Sequence, residues 1–293
     1  MFKETQKLQS FSDAIPLESR TSDVYPTIAV IDTGISADLL ENASVIPGIN
    51  LSGEGLENDT NDRNGHGTLV ASTILRFAPR APILPIKLIV DCGYLRLPDR
   101  LETSFEWVLE HHISLNIGVI CAAFSDSSHS TDDQLHRGTR LQETIAALRK
   151  AGVATVAPAG NRYQRNRIWD EQGMAWPAIL REVISVGAIT HGNELPRLSS
   201  RTQRLHSRIG TGCCTTTFAL PGEPGGTSGA AAVVAGCLAA LKGTYPEKTV
   251  DELIKQLMLF HYYVTDDNNL TWPVLDIGAN GELGKNYTLS AKT

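Results

Sequence analysis

The sequence predicts an α/β domain: a mainly parallel sheet with helices on both faces. Three observations carry this. Short β-branched apolar runs recur along the chain without in–out alternation, as strands buried on both faces do. Amphipathic helical stretches lie between several of them. Apolar residues make up 42% and charged residues 20% of 293 positions, a globular balance rather than a disordered one.

Residues 1–25 carry no clear periodicity and read as an N-terminal extension, a short propeptide or arm. Residues 26–293 then read as a single domain. Strands are expected at 27–31, 83–90, 117–123, 153–157, 183–188 and 215–220. A helix over 67–77 places Val70, Ile74 and Phe77 on one face. A second over 100–112 gathers Leu101, Phe105, Val108 and Leu109, and a third over 140–150 gathers Leu141, Ile145 and Leu148. The stretch 228–242 is apolar all round, which marks a central buried helix, with Gly243 and Pro246 as stop signals. A further helix is expected over 249–260, then a mixed tail with a turn at 266–269 and an edge strand at 271–275. The irregular stretches 124–138 and 161–175 fall at strand ends, where α/β folds carry their binding residues. The second holds Arg162, Arg165 and Arg167, read as solvated loop charges.

Charge and cysteine usage narrow the class. With 26 basic and 32 acidic side chains the net charge is −6, against the basic face that phosphate binding wants, so no nucleic-acid partner is expected. No uncharged apolar run reaches about 18 residues, so no membrane span is expected. The first residues hold no apolar run of signal length. Cys92, Cys121, Cys213, Cys214 and Cys237 are scattered and lack C-x-x-C spacing, which suits free thiols in a reducing compartment. A cytoplasmic protein follows as the expectation.

Four short motifs carry candidate chemistry. Asp32 directly follows a buried strand, at the carboxyl edge where α/β sites form. Alone, a strand-end Asp is more often a turn or cap residue. Asp32-Thr33-Gly34 also matches the motif of all-β aspartic proteases, which the helical pattern disfavours. His66, between Gly65 and Gly67, opens a helix; the positive helix end suits a neutral imidazole able to act as a base. Asn161, after Pro158, Ala159 and Gly160, sits just past a strand, as a turn former or as a donor to an oxyanion. Ser228, after Gly225-Gly226-Thr227, lies in the first turn of the buried helix, as a cap or as a nucleophile. No G-x-G-x-x-G follows the first strand, which excludes a dinucleotide site.

Together and in this order, the Asp-Thr-Gly strand, the His-Gly-Thr-x-Val-Ala helix start, the Ala-Gly-Asn turn and the Gly-Thr-Ser-x-Ala-Ala helix start resemble the subtilisin-like serine proteases, peptidase family S8. The likeness spans roughly 26–260, including Trp176-Pro177-Ala178 and 183–188 as the strand after the substrate pocket. It implies a three-layer fold and a serine endopeptidase acting on a peptide or protein substrate. Ser228 would be the nucleophile, His66 the base, Asp32 its orienting partner, and Asn161 with the Ser228 N–H the oxyanion hole.

The chain also departs from that pattern. Only residues 78–82 join the His66 helix to the next strand, too few to wrap an ion that takes six or more oxygen ligands, so no calcium is expected there and no cofactor elsewhere. Ala123-Phe124-Ser125-Asp126 stand where the family's substrate-binding strand has Ser-Leu-Gly-Gly, and the resemblance implies substrate binding by these four together with Pro158, Ala159 and Gly160. Asp126, with Asp170 and Glu171, reads as a solvated loop charge or as a preference for a basic substrate residue. Gly229 follows the serine, and the connection from Leu220 to Ser228 is short.

Overall fold

A computed structural model describes residues 25–40, 42–126, 128, 130, 132–161, 174–191, 196–200, 217–219, 226–265 and 271–275. The strands are β1 Thr27–Asp32, β2 Ile49–Asn50, β3 Ile83–Lys87, β4 Ile117–Ala122, β5 Ala154–Pro158, β6 Ile184–His191, β7 Pro196–Ser200, β8 Thr217–Ala219, β9 His261–Thr265 and β10 Thr271–Leu275. The helices are α1 His66–Phe77, α2 Arg100–His111, α3 Arg140–Lys150, α4 Gly226–Thr244 and α5 Val250–Leu257.

The strands form a ten-stranded sheet in the order β2-β3-β1-β4-β5-β6-β8-β10-β9, with β7 paired to β6. The central strands β3, β1, β4, β5, β6 and β8 all run parallel. Among the described residues, only β7 and β9 run antiparallel to their neighbours. Every residue of β1, β3, β4 and β5 is buried, which is why their sequences are continuous apolar runs.

Successive residues of β1 point to opposite faces and so to different cores. Ile28 and Val30 join α1, α4 and α5 through Val70, Ile74, Val234, Leu238 and Leu253. Ala29 and Ile31 join α2 and α3 through Leu101, Phe105, Val108, Leu141, Ile145 and Leu148. Helices therefore cover both faces, as expected. α4 is long and apolar enough to cross a membrane, yet it is the buried core helix of the first face. It packs tightly on α1: a Cβ at Gly236 would come within 2.7 Å of the Ile74 carbonyl oxygen. α3 takes its cap from Thr139, whose hydroxyl accepts from the Gln142 N–H. α5 has a full capping box between Thr249 and Glu252.

Several boundaries differ from the sequence reading. Tyr25, placed in the extension, is buried in the core. β3 stops at Lys87 rather than running to residue 90, because residues 88–90 leave the sheet: the N–H groups of Leu88 and Ile89 both bond the Asp32 carbonyl. Residues 271–275 are not the edge; they lie between β8 and the outermost strand β9. The 261–265 run, His-Tyr-Tyr-Val-Thr, is aromatic and β-branched but not apolar, and strand propensity of that kind shows only weakly in a search for buried runs. Trp176-Pro177-Ala178 is a turn with a cis Trp176–Pro177 bond, and the strand begins at Ile184. Residues 1–24 and 266–270 lie outside the described residues, and of the 215–220 strand only 217–219 are described.

Candidate active site

Parallel strands β1, β4 and β5 end on the same edge of the sheet, and the four sequence motifs gather there. Asp32 ends β1, is 1% exposed, and accepts the Thr33 N–H at Oδ1 (2.7 Å). α1 begins immediately above it. At Gly67 any Cβ would sit 2.2 Å from the Gly34 carbonyl oxygen, so only glycine lets the helix start this close to the strand end. The result is contact: His66 Nδ1 lies 2.8 Å from both carboxylate oxygens of Asp32. With Nδ1–H donating to the carboxylate, Nε2 carries the lone pair.

Burial pulls the His66 pKa down, since it disfavours the cation. The hydrogen bond to Asp32, the Asp32 charge and the Asp62 charge outweigh it, and the imidazole titrates above its ordinary value of 6.5. His66 therefore differs from the plain helix-start imidazole of the sequence reading. The positive helix end is overridden by two carboxylates.

Ser228 lies in the first turn of α4. Its hydroxyl donates to the Ala123 carbonyl oxygen, 3.2 Å away, just past the end of β4. Asn161 follows β5 and the Pro158-Ala159-Gly160 segment. Its Oδ1 accepts from the Thr227 N–H (3.0 Å) and the Thr227 hydroxyl (2.8 Å). Those two bonds fix which way the amide faces: the carbonyl end is occupied by Thr227, the residue before Ser228, leaving the NH₂ as the donor end.

Asp32, His66, Ala123, Phe124, Ser125 and Asp126 line one cavity of about 680 Å³, with Ile89, Tyr94, Leu95 and Trp176 on its far walls. Ala123 joins the halves of the site, since it lines this cavity with His66 and its carbonyl takes the Ser228 hydroxyl. Pro158, Ala159 and Gly160 are not among the lining residues; Ala159 instead ties β5 to β6 through Val186 and to Ala175. Asp126 is an exposed loop charge, as the solvated reading expects, and it is also anchored. Its Oδ1 accepts the Trp176 N–H (2.9 Å) and both the N–H and the hydroxyl of Ser128, so it staples two segments of the rim. Asp170, Glu171 and the Arg162, Arg165 and Arg167 group lie outside the described residues.

Two residues at the site were not singled out from the sequence. Lys87 is fully buried and pairs in register with Asp32 across β1 and β3. Its Nζ donates to the Asn61 carbonyl (2.9 Å) and pairs with Asp91, while Asn64 Nδ2 donates to the Asp91 carbonyl (2.8 Å). Asp62 is a buried carboxylate between β1 and α1. The signals were a lone lysine in an apolar strand and an acid four residues before the histidine; neither means much until burial is known.

Among the described residues, no group of three or more His, Cys, Asp or Glu side chains is placed to hold a metal ion. Cys121 and Cys237 are buried free thiols whose pKa burial pushes well up, and Cys92 is exposed. Cys213 and Cys214 lie outside the described residues.

A strand-end carboxylate, a helix-start histidine held by it, and a serine opening a buried core helix are the kinds of group that serine hydrolases on a parallel α/β sheet use. The model of the Subtilase family (peptidase S8) matches residues 25–269, and the chain belongs to this family of subtilisin-like serine proteases. The chain is 27% identical over 254 residues to the major intracellular serine protease of Bacillus subtilis (strain 168), covering 80% of this chain and 73% of that protein. It is 26% identical over 243 residues to subtilisin DY of Bacillus licheniformis, covering 78% and 81%. Among solved structures, sphericase shares the fold with a TM-score of 0.61 at 22% identity, covering 84% of this chain and 89% of that one.

Proposed function

We propose that the chain is a serine endopeptidase working through an acyl-enzyme, with Ser228, His66 and Asp32 as its triad and Asn161 in its oxyanion hole. The observation that carries this is the His66 imidazole held at 2.8 Å by a buried carboxylate, with Nε2 left to accept a proton. Ser228 Oγ leaves the Ala123 carbonyl, gives its proton to Nε2 and attacks the peptide carbonyl carbon. The oxyanion is met by the Asn161 NH₂ and the Ser228 N–H. Collapse of the tetrahedral intermediate breaks the C–N bond, and His66 returns the proton to the leaving amine. Water then attacks the ester by the same route, restoring the serine. Asp32 keeps its negative charge throughout.

An extended peptide lies along 123–126, with Pro158, Ala159 and Gly160 on the opposite side of the scissile residue. No cofactor is needed. The 78–82 connection supports the absence of a calcium loop at that place, because five residues cannot surround so large an ion. Residues 26–293 are read as one peptidase domain and 1–25 as its arm. The partner is a peptide or protein; the acidic balance disfavours nucleic acid, and the burial of α4 disfavours a membrane. The Bacillus subtilis and Paenibacillus polymyxa relatives are named intracellular proteases, which supports a cytoplasmic location.

The test is a Ser228→Ala variant against the wild type, using a proteome-derived peptide library and a serine-directed phosphonate. The wild type is expected to cleave peptides and to be labelled at Ser228. The variant is expected to stay folded, to escape labelling and to lose kcat by several orders of magnitude. A folded variant that cleaves at a comparable rate overturns the assignment.

A further inference from the structure

We propose that Asp62, which no part of the triad chemistry uses, is a positioning residue that fixes the Asp32–His66 contact by locking the start of α1 onto the end of β1. This rests on the triad proposed above. Asp62 is 7% exposed and accepts five hydrogen bonds from both sides of that junction. Its Oδ1 takes the Thr33 hydroxyl (2.9 Å) and the N–H groups of Asn64 (3.0 Å) and Gly65 (2.8 Å). Its Oδ2 takes the N–H (2.8 Å) and the hydroxyl (2.6 Å) of Thr68. Thr33 follows Asp32, Asn64 and Gly65 precede His66, and Thr68 lies two residues past it, so one side chain grips the chain just after Asp32 and on both sides of His66.

The helix needs this grip. Its cap position is Gly65, which has no side chain to cap with, and its first turn carries no acid. The exposed helix-start donors are met from outside instead. His66 N–H goes to Asn64 Oδ1 (3.3 Å), Gly67 N–H to Thr33 Oγ1 (3.0 Å) and Thr68 N–H to Asp62. Every partner of Asp62 is a donor, so the group must be an acceptor at both oxygens. These bonds, against the cost of burial, hold its carboxyl below the usual range and keep it ionised. An amide of the same shape puts an NH₂ against donors it cannot accept from.

The charge also reaches His66. Asp32 from β1 and Asp62 from the loop before α1 are the charged groups that favour its cation. The α4 segment packed against α1 brings none between Gly226 and Leu241. Removing Asp62 therefore loosens the contact and lowers the His66 titration at once.

The experiment compares wild type, Asp62→Asn, Thr33→Val and Thr33→Ser. It reads kcat and KM per phosphonate-titrated site and the His66 titration by NMR. Asp62→Asn is expected to lower kcat roughly 10–100-fold with KM within a few-fold, as a small misplacement of a reacting group does. The His66 titration is expected to move to lower pH. Thr33→Val removes one of the five donors together with the acceptor of the Gly67 N–H, both links between the end of β1 and the start of α1, and moves both readouts the same way; Thr33→Ser restores them. Should Asp62→Asn fail to fold, Thr33→Val against Thr33→Ser decides. A variant with lowered melting temperature but unchanged kcat per site and unchanged His66 titration overturns the proposal. Failure of the triad reading looks different: the wild type itself neither cleaves nor takes the label, while the His66 titration still reports on Asp62.

Discussion

The His66 imidazole is 32% exposed, while the Asp32 side chain beneath it is only 2% exposed. Two carboxylates and one hydrogen bond favour its cation, so acid conditions hold it protonated and, in the proposed mechanism, unable to accept the serine proton. The expected outcome is a kcat/KM profile whose acid limb has its midpoint above 6.5; a midpoint at or below 6.5 contradicts the geometry. Stability runs the other way. A folded-state pKa raised above the unfolded value gives stability that is full below about 6.5 and fades as pH rises through the folded value. The window in which the enzyme gains activity is thus the one in which this group stops stabilising the fold. At this scale Asp32, His66, Asn161 and Ser228 could be singled out only as a set, because four short motifs in one order resemble one family while each alone also reads as a turn, cap or helix-start residue. Asp62 and Lys87 were not legible. What distinguishes them is burial and a full set of donors or acceptors, and these come from segments that meet only after folding.

Lys87 shows how an element carries a site without touching the chemistry. It ends β3 beside Asp32, and its ammonium holds both the Asn61 carbonyl and Asp91. Residues 89–95, which follow, include the Ile89, Tyr94 and Leu95 wall of the cavity. Lys87→Met keeps the buried stem but leaves the Asn61 carbonyl without its donor and Asp91 with only the half-exposed Arg63, 4.0 Å away. Because Asp91 is one-third exposed and can rehydrate, the expected loss in denaturant unfolding is about 1–3 kcal/mol, less than for a wholly buried pair. KM is expected to rise by more than kcat falls; the reverse pattern would place Lys87 in the chemical step. Elements with clean periodicity were read closely, and α3 matches its expected span of 140–150 at both ends. The β9–β10 pair was read poorly because its outer strand is polar and aromatic, and pairing rather than an apolar run defines it.

Over the whole molecule, α1 carries His66 and α4 carries Ser228, and both pack on one face of the sheet. Gly236 sets their separation. Gly236→Ala gains up to about 1 kcal/mol of helix propensity, but its Cβ meets Ile74 and Phe77, and overpacking of that kind costs about 1–3 kcal/mol. The expected net result is a lower melting temperature together with a lower kcat per phosphonate-titrated site. Ile145→Val, under α3 on the opposite face, is expected to cost about 0.5–1.5 kcal/mol with kcat per site unchanged. Equal effects on kcat from both variants would contradict this separation.

The alternation along β1 that sends Ile28 and Val30 one way and Ala29 and Ile31 the other thus has an evolutionary meaning. The sheet acts as a bulkhead. A lineage can change side chains beneath α3 without entering the α1–α4 compartment that carries His66 and Ser228. On the α2 side the two demands meet, because Leu101 belongs to that core and also lines the cavity, with Leu95, Phe124 and Trp176 packed beside it.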